Sequence, residues 1–157
     1  MEDRILTWET KSFDALSLEE LYKILQLRQE VFMLEQACVY NDLDHKDQQS
    51  FHLMAWQGET LAAYTRLLPY GVSYPDALSI GRVVVAAAFR SNGLGRELML
   101  RSMEGVYSLF GHHPIKIGAQ QHLKAFYNYL GFEQTSQPYM DAGIMHIEMT
   151  RRQLEHG

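Results

Sequence analysis

A strand, a glycine-bearing turn and a helix follow one another without interruption in the middle of the chain, and this unit narrows the fold more than any other stretch. Leu78 to Val85 contains the β-branched run Ile80-Gly-Arg-Val-Val-Val85, suited to a central strand. Ala-Ala-Ala-Phe-Arg90-Ser-Asn-Gly93-Leu-Gly95 comes next. From Gly93 to about Phe110, Met99, Met103, Val106 and Phe110 recur at helical spacing, and Gly111 stops the helix. Ile115 to Ala119 then reads as a second short strand. A strand, a crossover helix and another strand make a parallel pair, because only a long connection returns the chain to start the second strand in the same direction.

The flanking segments add antiparallel strands to that pair. Residues 4–9 read as an opening strand. Ser17 with Glu20 three residues later makes a capping box, and Leu18, Leu21, Leu25, Arg28, Phe32 and Glu35 fall on one helical face behind it. Two charged residues in that stripe, Arg28 and Glu35, either flank the core and pair elsewhere or line a cleft beside it. Residues 38–50 are irregular and acidic. Ser50 to Gln57 and Thr60 to Leu68 are strands joined through Gly58-Glu59, and Pro69 to Asp76 is a loop. His122 to Leu130 is a short helix closed by Gly131, and Tyr139–Met140 with Ile144–Thr150 forms a terminal hairpin around Asp141-Ala-Gly143. The expected class is mixed α/β, with one continuous domain over 1–157 and no repeat or low-complexity linker.

Composition removes several functions. A chain of 157 residues, 46% hydrophobic, can bury a core without staples, and its single cysteine, Cys38, permits no intrachain disulfide. That points to a reducing, cytoplasmic setting. The opening residues are polar, so no signal peptide or membrane span is expected. A net charge of −5 disfavours nucleic acid as a partner. Asp42, Asp44 and Asp47 fail as an EF-hand, since Asp47 stands where glycine belongs and Leu53 where glutamate belongs. Scattered histidines with one cysteine give no zinc spacing, so no metal is expected. His112-His113, at a helix end, complements the helix dipole.

The turn at 90–95 is where ligand chemistry concentrates. Glycines let backbone approach a bulky ligand, and the first N–H groups of a helix have no internal partner and carry the positive end of its dipole. With Arg90 beside them they make a site for a phosphate or pyrophosphate. The P-loop pattern is absent, and so is the dinucleotide pattern, because position 98 is leucine. Arg90-x-x-Gly93-x-Gly95 instead resembles the coenzyme A pyrophosphate motif of the GNAT superfamily of N-acetyltransferases. Val83-Val-Val85 before it, Gln120 after the next strand, and Ala125-Phe-Tyr127-Asn-Tyr-Leu-Gly131-Phe132 are similar to that family's segments in order. Leu27-Arg28-Gln-Glu-Val-Phe-Met-Leu-Glu35-Gln36, Tyr40-Asn-Asp42-Leu-Asp44, Ala62-Ala-Tyr-Thr-Arg66-Leu and Gly143-Ile-Met-His146-Ile resemble its ElaA-like bacterial branch.

The resemblance implies a mostly antiparallel seven-stranded sheet, splayed at a central parallel pair and flanked by about four helices. It implies acetyl-CoA as co-substrate, bound through Val83, Val84, Val85, Arg90, Ser91, Asn92, Gly93, Leu94, Gly95, Arg96, Gln120 and Tyr127. Tyr127 would be the general acid that protonates the leaving thiolate, and backbone N–H groups of Val83–Val85 would polarise the thioester carbonyl. The base is not legible: His52, His122, His146 and Glu35 are candidates, an imidazole being suited by its ordinary pKa. Arg28, Glu35, Asp42 and Asp44 are candidate acceptor contacts, with the acidic loop either an ammonium-attracting rim or solvated surface. The acceptor is a small-molecule amine, cationic by preference, or a protein amine. A protein-directed acetyltransferase and a non-catalytic acyl-CoA-binding module are the alternative functions, and a homodimer is compatible with the sequence.

Overall fold

The computed structural model describes residues 5–152. All its strands belong to one sheet in the order β1-β2-β3-β4-β5-β8-β6, with β7 paired to β8. β1 (Thr7–Ser12), β2 (Phe51–Gln57), β3 (Thr60–Leu68) and β4 (Leu78–Val85) are antiparallel neighbours. β4 and β5 (Ile115–Gln120) are parallel, across the crossover helix α2 (Leu94–Phe110). β6 (Glu133–Gln134), β7 (Tyr139–Asp141) and β8 (Ile144–Arg151) complete the second half. The two-residue β6 is the strand that the sequence reading lacks, giving eight strands rather than seven. The opening strand lies later than expected, at Thr7–Ser12, and residue 4 of the expected span is outside the described residues.

Among the described residues there are three α-helices and one π-helical stretch, besides four short 3-10 turns. α1 (Leu18–Arg28) starts at the Ser17–Glu20 capping box, in which each partner's side chain meets the other's backbone N–H. It does not continue as α-helix to Glu35. Residues Gln29–Glu35 widen into π-helix, with the Gln36 N–H reaching back five residues to the Val31 carbonyl. The buried face is Ile24, Leu27, Arg28 and Val31, and Leu18 is solvent-exposed. Apolar residues surround α1, so the sheet rather than the helical period selects the buried face. α3 (Lys124–Tyr129) packs Tyr127 into the core.

Each face of the sheet carries its own core. Leu94, Leu98, Met99, Met103 and Val106 of α2 pack with Leu67, Ile80, Ile115, Ile117 and Ile147 on one face. Ile24, Leu27 and Val31 pack with Met54, Tyr64 and Val84 on the other. Among the described residues no helix is long and apolar enough to cross a membrane.

Candidate active site

The parallel pair opens the site. β4 and β5 are in register only at Leu78↔Ile115 and Ser79↔Lys116, and beyond those rungs they diverge. The resulting cleft has a volume of about 460 Å³. β4 contributes Val83, Val84 and Val85, β5 contributes Gln120, α3 contributes Tyr127, and the terminal hairpin contributes His146. A bulge opposite Tyr64 and Arg66 shifts the β3–β4 register, and Arg82 there takes a positive φ of 51°. The bulge reverses side-chain parity, so Ile80, Val83 and Val85 all meet the α2 core although their numbers alternate.

At one end of the cleft the polypeptide builds an anion site. Gly93 caps α2 in a left-handed conformation (φ 75°), which glycine adopts without strain, and no side chain caps the helix. The first intrahelical bond reaches Gly93 from the Glu97 N–H, leaving the N–H groups of Leu94, Gly95 and Arg96 without helical partners. Ser91, Asn92 and Gly93 are exposed beside them. Arg90 donates from Nε to the Val85 carbonyl at 3.0 Å and forks onto the Glu35 carboxylate. These residues fit a pyrophosphate, which needs convergent N–H donors and a guanidinium.

At the other end stand the proton-handling groups. Tyr127 is buried edge-to-face against Phe126 and Phe132, yet lines the cleft. Burial alone pushes its phenol up to about 12, so it is a donor at neutral pH. His146 Nδ1 lies 2.7 Å from the Ile144 carbonyl oxygen. A carbonyl only accepts, so Nδ1 carries the proton and Nε2 of the neutral ring keeps its lone pair. His122 also lines the cleft, from an exposed position. Among the described residues no group of three His, Cys, Asp or Glu can hold a metal.

Four sequence candidates go elsewhere. His52 is fully buried in β2, with Nδ1 2.6 Å from the Tyr64 hydroxyl and Nε2 3.0 Å from the Asp47 carbonyl oxygen, so it is a core histidine and not a base in the cleft. Arg28 is likewise fully buried, held by Asp42 and Asp47 at 2.9 Å each. Asp42 and Asp44 are not a free anionic rim. Asp44 chelates Arg66 at 2.8 and 2.9 Å, and Asp42 binds both Arg28 and Arg82. Burial opposes the charge of Asp44, but its bonds to Arg66 and the charge of Arg82 hold the carboxyl below its usual range. Of the candidate acceptor contacts only Glu35 reaches the cleft, and there it meets Arg90.

The sequence reading gives Arg66 and Arg82 no part in the site and groups Asp47 with Asp42 and Asp44 only as an acidic cluster. The available signal was a balance of charge. Three arginines stand alone in apolar segments, Arg28, Arg66 and Arg82, and three aspartates crowd one loop, Asp42, Asp44 and Asp47. Buried guanidinium groups need carboxylates, and the counts match. Gln36, Cys38 and Tyr40 of the adjoining segment also line the cleft.

Comparison with known proteins agrees with this geometry. Residues 14–153 match the family model described as an acetyltransferase (GNAT) domain. An acyl-CoA N-acyltransferase structure from Pseudomonas aeruginosa is 42% identical and superposes with a TM-score of 0.89 over 94% of this chain and 99% of that one. The structure of ElaA from Escherichia coli is 35% identical, with a TM-score of 0.88 over 94% of this chain and all of that one (100%). A UPF0039 protein of Synechocystis is 38% identical over 148 residues, 94% of this chain and 96% of its own.

Proposed function

The chain belongs to the GNAT acetyltransferase family, and on that premise we propose that it moves an acetyl group from acetyl-CoA to a primary amine by direct attack in a ternary complex. The observation that carries this reading is the pairing, in one cleft, of a helix N-terminus fit for pyrophosphate with a buried, protonated phenol. Arg90 and the N–H groups of Leu94, Gly95 and Arg96 hold the diphosphate. The pantetheine arm runs between the diverging β4 and β5, beside Gln120. Backbone N–H groups along Val83–Val85 polarise the thioester carbonyl, being fixed dipoles that need no reorganisation as charge develops.

The amine nitrogen attacks the carbonyl carbon, the C–N bond forms, and the C–S bond breaks. The attacking ammonium first loses a proton to His146 Nε2, directly or through water. The departing thiolate takes its proton from Tyr127 Oη, and the second proton, shed by the nitrogen as it becomes an amide, restores the phenol. A phenol near 12 is a weak acid toward an ordinary thiolate, whose conjugate acid is near 8.5. The thiolate leaves beside the same buried phenol, where desolvation raises its basicity too, so the mismatch narrows. The position of Tyr127 in the cleft favours catalysis over a coenzyme-binding module without activity, and the small-amine and protein-amine readings share every step.

Tyr127→Phe keeps the ring and removes the donor. Calorimetry should find coenzyme A affinity unchanged while turnover falls about 10²-fold or more. Full turnover by the Phe variant, with chemistry rate-limiting, would show that the phenol is only packed. Arg90→Glu should weaken coenzyme A binding at least tenfold, and unchanged affinity would remove the anion-site assignment.

A further inference from the structure

We infer that the acceptor is a primary amine bearing a second ammonium group, and that Tyr74 and Tyr139 hold this second group above Gly118. The inference deepens the acyl-transfer reading and rests on its placement of the reacting amine near His146. Its basis is the register of the second half-sheet. Gly118 faces Glu148, Gln120 faces His146, His146 faces Tyr139, and Ile144 faces Asp141 across the ladders. Directly paired residues project to the same side. All of these therefore share one face, opposite that on which Ile117, Ala119, Ile147 and Met149 enter the core.

The middle of that face carries no side chain, because position 118 is glycine. A Cβ at Gly118 would stand 2.9 Å from the Tyr139 hydroxyl oxygen and 3.7 Å from that of Tyr74. Two phenols, one from β7 and one from the β3–β4 loop, thus converge over β5 in space that only glycine leaves open. The Tyr139 ring also stacks on His146, with centroids 5.9 Å apart, which sets the phenol pair beside the proposed base.

The surroundings favour a cation there. Burial raises the phenol of Tyr74 to about 12, with Tyr139 and Glu148 adding to the effect. Burial also raises that of Tyr139, with added pushes from Asp141 and Glu148. Both phenols therefore present neutral oxygens and ring faces in a negative field. The nearby cations are committed elsewhere: Lys116 to Asp76 at 3.0 Å, and Arg82 to Asp42 at 2.8 Å. Glu148 accepts from Thr135 at 2.8 Å. An ammonium donates three hydrogen bonds and accepts none, which suits phenol oxygens, a carboxylate and π faces. A carboxylate at the same place would meet Glu148 and Asp141.

Two probes separate this idea from the reading it rests on: 1,4-diaminobutane, and butylamine, which lacks the second nitrogen. Their calorimetric affinities for the wild-type protein saturated with coenzyme A test the inference without turnover. The diamine should bind at least tenfold more tightly than butylamine. Tyr74→Phe with Tyr139→Phe, which keeps both rings, should remove that preference while coenzyme A affinity stays at the wild-type value. Gly118→Ala should also weaken the diamine, since its methyl displaces the Tyr139 hydroxyl. Equal binding of the two amines, or a preference that survives the double variant, would overturn the inference. Thiol release from acetyl-CoA with the diamine tests the other claim. Diamine binding without thiol release would sink acyl transfer and leave the subsite standing.

Discussion

Arg90 already has a partner, and it comes from the π-helical segment that lines the cleft. Glu35 takes its guanidinium, and one residue on, Gln36 accepts from Gln120 at 3.3 Å. The C-terminal end of the π-helical segment thus holds two residues that the proposed function gives to the coenzyme. Glu35 occupies the guanidinium as a phosphate would, and Arg90 keeps the Glu35 carboxyl below its usual range by hydrogen bond and charge, against a smaller effect of burial. On the proposed function, coenzyme entry exchanges this contact for the pyrophosphate. Removing the Glu35 charge should therefore tighten binding, although Glu35 lines the site. The pair is half-exposed, and such pairs contribute roughly 0–1 kcal/mol, so Glu35→Gln should lower the coenzyme A Kd by about two- to fivefold. Calorimetry at low salt reads this directly, and an unchanged or raised Kd would mean that Glu35 does not compete.

The elements around the cleft show what a sequence can and cannot reveal about this fold. The β2–β3 hairpin, β4, α2 and β8 were legible because alternation, glycine turns and helical spacing act locally. β6 was not, since two residues have no period and exist as strand only through pairing with β8. The α1 face was misjudged for the same kind of reason. The loop at 38–50 was legible as acidic, but its role depended on arginines 14 to 40 residues away, on α1, β3 and β4. There Asp47 bridges Arg28 at 2.9 Å and Arg66 at 3.0 Å, fastening the loop to α1 and β3 next to the β4 bulge. Asp47→Asn leaves two buried guanidinium groups short of charge and should cost about 3 kcal/mol or more in urea unfolding. A loss under about 1 kcal/mol would show that the network is dispensable. The same elements set the acid limit. Burial drives the His52 pKa below its ordinary value, outweighing the opposing bond to Asp47. Asp44 and Asp47 lie below theirs, because their arginines outweigh burial. In all three the unfolded chain binds the proton more readily, so their contributions are present at neutral pH and lost on acidification. Stability should begin to fall below about pH 6.5 as unfolded His52 protonates, and fall further below about pH 4 as the aspartates do. Asp47→Asn should flatten the second decline.

Across the whole molecule the cleft almost divides the sheet. β1 to β4 form one half and β5, β8, β6 and β7 the other, joined in the ladder only at Leu78↔Ile115 and Ser79↔Lys116. Beside the opening, α2 packs chiefly on β3 and β4, and Leu98, Met99 and Met103 share one apolar core with Ile117 and Ile147 of the other half. Above it, backbone groups on the facing edges of β4 and β5 have no partner strand among the described residues. A coenzyme threaded there would bond to both edges and close the sheet in the way a strand would, so its binding should stabilise the molecule as a unit. At a hundredfold excess over Kd the gain is about 2.7 kcal/mol, which corresponds to a rise in Tm of roughly 5–11 °C for a chain of this size. Hydrogen exchange locates the effect. Amides of residues 80–85 on β4 and 117–120 on β5 should slow together when coenzyme A is added, and Arg90→Glu should reduce both the Tm shift and the protection. Slowing confined to the α2 N-terminus would place the coenzyme outside the opening, held by its phosphates alone, and the diverging strands would then have no part in binding it.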